Sequence, residues 1–112
     1  MNDTPRFVFI YTTLPEEGVA RDIAARLVQS KLAACVNIYP QMTSVYEWQG
    51  KLELGPEVGC FIKTRETLKE EVMAALRALH PYTVPAMLVL PIASGNVDYL
   101  DWAQRQTASD RK

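Results

Sequence analysis

One imidazole, two thiols and a run of carboxylates are the groups in this sequence best able to do chemistry. His80 is the only histidine. Histidine serves as metal ligand, general base and proton carrier near neutral pH. This one stands at the end of a helical pattern, just before a proline. There an imidazole can also cap the last carbonyls and suit the helix dipole. With no second histidine at ligand spacing, a metal site would have to draw on carboxylates, cysteine or another subunit. Cys35 and Cys60 show neither C-x-x-C nor a zinc-ligand spacing. Each lies in an apolar run, where a thiol behaves as a small hydrophobe, so both are expected as reduced core or half-core thiols. Glu47, Glu53 and Glu57 crowd one stretch. Paired carboxylates can share acid and base work, but no nucleophile or base accompanies them. The expectation is therefore a solvated strand face whose charges discourage edge pairing. Ser44 lacks a G-x-S-x-G setting, and no phosphate-cradling glycine loop exists. No catalytic residue is assigned, and an enzyme is not expected.

The aromatic residues carry more information. Tyr46, Trp48, Tyr82, Tyr99 and Trp102 fall near turns and the C-terminal region. Tyr and Trp are enriched in the cores of interfaces, so Trp48 is expected at a subunit boundary. Packing of a short last helix on a sheet explains the same residues without a partner.

The elements that must position these groups follow from periodicity. Residues 7–11 form a short β-branched and aromatic run, which reads as a buried strand. Thr13-Leu14-Pro15-Glu16 has capping-box spacing, and Val19, Ala20, Ile23, Ala24, Leu27 and Val28 make a helical stripe after it. Lys31 sits near that helix's C-terminal end, where the dipole favours a cation. Residues 33–39 read as a second strand and 40–42 as a turn. Residues 43–53 read as a long strand, with Ser44, Tyr46 and Trp48 on one face and Val45, Glu47 and Gln49 on the other. Gly50 suggests a bulge and Gly55-Pro56 a turn before a strand over 58–63. These two strands are either a hairpin or one bent strand. A second capping box at Thr67 opens a helix with Leu68, Val72, Ala75, Leu76 and Leu79 inward, ended by Pro81. A strand over 86–90 follows, with Pro91 marking an edge. A short helix carries Tyr99, Leu100 and Trp102, and the tail beyond it is expected to fray.

This order is the split β-α-β pattern. The predicted fold is α+β: a ferredoxin-like sandwich, an antiparallel sheet with two helices on one face and an extra C-terminal helix. At 112 residues and 48% hydrophobic, the chain is expected to be a single domain over 1–112, its core over about 7–104. A net charge of -1 gives no pull toward nucleic acid or an anionic membrane, and neither is an expected partner. The start shows no basic stretch followed by an apolar one, and apolar runs are strand-sized, so the cytoplasm is the expected compartment.

Five strings are more specific: KLAACVN from Lys31, TSVYEWQG from Thr43, KTR from Lys63, HPYTVP from His80 and GNVDYLDW from Gly95. In this order the set resembles the CutA family of divalent-cation tolerance proteins, over nearly the whole chain. The resemblance implies a ferredoxin-like fold and a tight, PII-like homotrimer, in which long strands extend sheets between subunits. It implies ligands in clefts between subunits, with candidate residues Asn37, Trp48, Glu57, Lys63, Tyr82 and Trp102. It also implies tolerance of divalent metals and copper binding. In copper-binding members a Cys closes the first strand and a His pair precedes the proline. Thr12 and Leu79-His80 stand at those places here, so a soft ligand and one imidazole are lost. The expectation is weak binding of Cu2+ or another divalent cation, through His80.

Two other readings share this topology. An RRM-like RNA-binding module would use stacked aromatics such as Phe7, Phe9, Tyr11 and Phe61, but needs a basic surface. An acylphosphatase-like enzyme needs an arginine after the first strand, and residues 12–15 supply none.

Overall fold

Alternation sets the first strand. In β1 (Phe7–Leu14) the even residues Val8, Ile10, Thr12 and Leu14 are buried, while Phe9, Tyr11 and Thr13 are half-buried on the other face. The structure, a computed structural model, describes residues 6–108. After β1 come α1 (Glu17–Gln29), β2 (Cys35–Trp48), β3 (Lys51–Arg65), a single 3-10 turn (Glu66–Leu68), α2 (Lys69–Leu79), β4 (Met87–Pro91) and α3 (Val97–Gln106). The sheet order is β2-β3-β1-β4, every neighbouring pair antiparallel. This is the predicted ferredoxin-like α+β fold.

The first core lies between α1, α2 and one sheet face. Ile10, Leu14, Leu27, Ile62, Val72 and Leu76 are fully buried in it. Burying a side chain of this size removes it from water at about 1.5–3 kcal/mol each. Of the predicted α1 stripe, Ala20, Ile23 and Leu27 are buried, while Val28 stays 39% exposed. A second, smaller core seats α3 on the opposite face: Ala103 meets Phe7 and Ala34 beside Leu100 and Ile92. The Arg65 guanidinium donates to the hydroxyl and carbonyl of buried Thr107, tying the end of α3 to β3. Thr107 is therefore anchored, against the expectation of a frayed tail; residues 109–112 lie outside the described residues.

Several local expectations are corrected. Neither capping box forms. Thr13 belongs to β1 and Thr67 to the 3-10 turn, and the helices start at Glu17 and Lys69 without side-chain caps. At the end of α1, Lys31 does more than meet a dipole. It adopts φ 67°, and the Lys31 and Leu32 amides donate to the Val28 and Leu27 carbonyls, a Schellman closure made without glycine. Residues 40–42 do not turn the chain. They hold a bulge inside one 14-residue strand, where the register slips between Tyr39 and Met42 and Gln41 takes φ 64°. The reversal falls at Gln49-Gly50 instead, with φ of 53° and 82°, the both-positive geometry of a two-residue hairpin turn. Gly50 is thus the turn and not a bulge. Gly55-Pro56 is no turn at all but lies within β3, paired with Ser44 and Thr43. β1 accompanies β3 only as far as Val58, so beyond it the missing proline N–H breaks no ladder on the β1 side.

β2 and β3 consequently form an arm that outruns the rest of the sheet. The molecule measures 52 × 27 × 22 Å, long for its size because of that arm.

Candidate functional site

The bulge decides which side chains meet at the arm's root. Before it, odd residues of β2 pair across the face bearing Phe61 and Lys63: Cys35 with Lys63, Asn37 with Phe61, Tyr39 with Gly59. One extra residue reverses the parity, so that Met42, Ser44, Tyr46 and Trp48 take over that face. Gly59 allows the close fit there: a Cβ on it would stand 3.0 Å from the Met42 sulfur. The Tyr11 hydroxyl points at the same sulfur. Beyond α2, Pro81 stops the helix and the chain passes over the end of β1, carrying Tyr82 back toward the arm.

A cleft of about 520 Å³ results, lined by Thr13, Tyr46, Trp48, Glu57, Tyr82 and Val84 among others. Glu57 stands at its polar end. Its Oε1 accepts the Ser44 hydroxyl at 2.6 Å and its Oε2 the Tyr82 hydroxyl at 2.7 Å. Burial pushes its carboxyl up, yet the hydroxyls of Ser44, Tyr82 and Thr13 outweigh that and leave it below the usual glutamate value. The Tyr82 phenol is raised by its own burial first and by the Glu57 carboxylate second. Glu57 is thus a fixed anion, not the solvated edge charge expected of the three glutamates. Glu53 shares its face of the hairpin, while Glu47 pairs opposite Leu52 on the other face.

His80 sits behind this cleft, 8% exposed. The Tyr82 amide donates to its Nδ1 at 3.2 Å, so Nδ1 is an acceptor and the proton sits on Nε2. Nε2–H points at the Thr13 carbonyl, 2.9 Å away, and faces the Thr12 hydroxyl at 3.1 Å. Burial holds this imidazole below the ordinary histidine value, against the Thr13 carbonyl and Glu57, which raise it. Its ring packs at a tilt against that of Tyr82, centroids 4.9 Å apart. The imidazole therefore positions Tyr82.

Of the residues singled out from sequence, Trp48, Glu57 and Tyr82 converge on this cleft. Asn37 lies on the same sheet face but is exposed beside Phe61. Lys63 and Trp102 gather at the opposite end. The Lys63 ammonium lies 5.3 Å from the Phe9 ring and 5.7 Å from the Tyr99 ring, and Tyr99 stacks on Trp102. Sequence reasoning missed Ser44 and Thr13 as holders of Glu57. The alternation Ser44-Tyr46-Trp48 is the available signal for Ser44; the spacing of Thr13 suggests a helix cap instead. Cys60 is buried, its thiol pushed up to about 11 by burial, and Cys35 is half-buried; both are free. Among the described residues no three of His, Cys, Asp and Glu gather where they could hold a metal.

A ferredoxin-like sheet with a projecting two-stranded arm and an aromatic, carboxylate-bearing cleft at its root defines a narrow class of small α+β proteins. Residues 8–106 match the family model described as CutA1 divalent ion tolerance protein, and the chain belongs to that family. It is 47% identical to the divalent-cation tolerance protein CutA of Thermus thermophilus, over 88% of this chain and 95% of that one. It is 44% identical to human Protein CutA, again over 88% of this chain but 55% of the relative. Among solved structures, CutA1 of Ehrlichia chaffeensis superposes with a TM-score of 0.91 at 30% identity, covering 96% of this chain and 100% of that one. The Archaeoglobus fulgidus structure, described as a periplasmic divalent cation tolerance protein CutA, gives 0.88 at 40% identity, over 91% and 99%. This membership leaves the RNA-binding and acylphosphatase readings without support.

Proposed function

We propose that the protein is a homotrimeric divalent-cation tolerance protein that binds its ligand without transforming it, at clefts completed where subunits meet. The observation that carries the reading is the arm. Val45, Leu52 and Leu54 on one face, and Tyr46 and Trp48 on the other, are 50–70% exposed. They are exposed among the described residues, and β2 leaves a long open edge at the side of the sheet. Apolar surface and an open edge of this kind are what a subunit interface covers.

A metal fits this chain poorly. Both His80 nitrogens are engaged, and Thr12 offers a hard hydroxyl where thiolate would favour copper. Cu2+ bound through His80 must displace either the Tyr82 amide from Nδ1 or the Nε2 proton held on the Thr13 carbonyl, so binding there is weak. The reading of a binder, not an enzyme, is supported by Glu57, whose two oxygens already accept hydroxyls. Two free cysteines favour a reducing compartment, hence the cytoplasm; the Archaeoglobus relative is described otherwise, and cell fractionation decides.

Native mass spectrometry with copper, with zinc and without metal tests the reading. A trimer is expected, with sub-stoichiometric copper that His80→Ala lowers. A monomer overturns the assembly, and stoichiometric copper unchanged in His80→Ala overturns the site.

A further inference from the structure

We propose that the cleft at the root of the arm is a receptor for a small primary ammonium compound with an apolar or aromatic body, its charge on Glu57 and its body against Trp48 and Tyr46. The inference rests on the cleft being the binding site of the reading above, and adds the chemical class of its ligand.

The argument starts from the hydroxyl hydrogens. Those of Ser44 and Tyr82 are directed at Glu57, and Thr13 adds its own. They fix the carboxylate without neutralising its charge. No ion pair reaches Glu57 among the described residues: the pairs formed there all lie on α1 or at the start of α2. His80, the titratable group behind it, is favoured neutral by burial, and its Nδ1 accepts the Tyr82 amide.

The hydroxyl hydrogens around Glu57 are thus spent on it, while its acceptors are not. A carboxylate offers about four lone-pair sites, and each hydroxyl oxygen that donates can still accept. A ligand carboxylate or phosphate brought against Glu57 would meet its negative charge and find the Ser44 and Tyr82 hydrogens already committed to it. An ammonium group, with three donors and no acceptor, matches Glu57, Ser44 and Tyr82. A quaternary ammonium would supply the charge but leave the acceptors unmet.

The remaining walls agree. Tyr46, Trp48 and Tyr82 bring aromatic rings to the walls, and aromatic rings attract a cation and accept an apolar body. A volume of about 520 Å³ lies in the range of small-molecule sites and far exceeds a bare divalent ion, which one carboxylate would hold poorly.

The test compares phenylethylamine with its uncharged counterpart phenylethanol and with phenylacetate, by calorimetry and by native mass spectrometry of the full chain. The amine is expected to bind at least about tenfold more tightly than the alcohol, and the acid not at all. Glu57→Gln should bring amine and alcohol within about threefold of each other, with the assembly mass unchanged. Trp48→Leu should weaken both ligands alike, which keeps the inference testable if Glu57→Gln folds badly. Equal binding of amine and alcohol, preference for the acid, or displacement of the amine by equimolar zinc overturns the proposal. The same spectra separate it from the assembly reading. A trimer that ignores the amine defeats this inference alone, and a monomer that takes it up defeats the trimer alone.

Discussion

The two halves of the β2–β3 hairpin are built from similar residues and meet different fates. In the half beside β1, Val58, Cys60 and Ile62 are at most 5% exposed under the helices, and Phe61 packs against Phe9, Tyr11 and Tyr39. In the half beyond β1, Val45, Leu52 and Leu54 are 59–70% exposed. One face is rich in apolar residues in both halves, but only the first half finds its cover within the chain. Apolar surface that the chain's own fold leaves uncovered is what supports the subunit interface proposed above. The cleft lies where the two halves join, which lets one side of it belong to the rigid core and the other to the arm.

The comparison is tested most severely by removing a side chain from each half. Ile10→Ala, at 0% exposure, should cost about 2–5 kcal/mol in chemical denaturation. The loss should be seen at every protein concentration. Leu54→Asp should leave the secondary structure of the protomer intact by circular dichroism and break the assembly, read as a shift from trimer to monomer mass. If Leu54→Asp unfolds the protomer as Ile10→Ala does, the arm belongs to the core and the contrast fails.

Much of this was legible in the sequence, because periodicity reports burial. The order of strands and helices and the edge position of β4 follow from patterns; Trp48, Glu57 and Tyr82 are three of six cleft candidates that the family strings imply, and Asn37, Lys63 and Trp102 do not line the cleft. What misled was punctuation. Pro40 and Gly55-Pro56 read as turns because proline cannot serve an interior ladder, yet both lie where the sheet tolerates them: a bulge on an edge strand, and a stretch with only one neighbour. The two T-x-x-E boxes failed because spacing cannot show that Thr13 is already committed to a strand and turned toward Glu57. The hydroxyl ring about that carboxylate joins residues 13, 44, 57 and 82, a juxtaposition that only the register supplies.

Acidification probes the junction itself. His80 is held below its usual value of 6.5 chiefly by burial and also by Arg77, against the Thr13 carbonyl and Glu57, which raise it. The folded state therefore binds fewer protons than the unfolded one, and the stability due to His80 declines as pH falls through 6.5. Glu57, also lowered, adds a second loss of the same sign, below about 4.5. Denaturation midpoints should drop between about pH 7 and pH 5, with a flatter profile for His80→Gln. Protonation at Nδ1 removes the acceptor of the Tyr82 amide, so an amide shift of Tyr82 in the same pH range is the matching signature by nuclear magnetic resonance. A midpoint that does not move in that range would show that the junction tolerates a charged imidazole, and His80 would lose its positioning role.

The smallest effect sits at the tip of the arm, where no packing complicates it. Gln49 and Gly50 both have positive φ, and nothing lies within 4 Å of a Cβ built on Gly50. Any cost of a side chain there is conformational, not steric against neighbours. Gly50→Ala should therefore lose about 1 kcal/mol, the usual penalty for forcing an L-residue into left-handed backbone. Gln49→Asn should gain a few tenths of a kcal/mol, because asparagine enters that region more readily and Asn-Gly is the favoured pair of this turn. Both are read from denaturation midpoints at one protein concentration. If the arm is held as a preformed two-stranded ribbon, these changes should alter stability and leave ligand affinity at its root untouched. A change in amine affinity with either substitution would instead mean that the tip and the cleft move together, and the division of the hairpin into two independent halves would have to be given up.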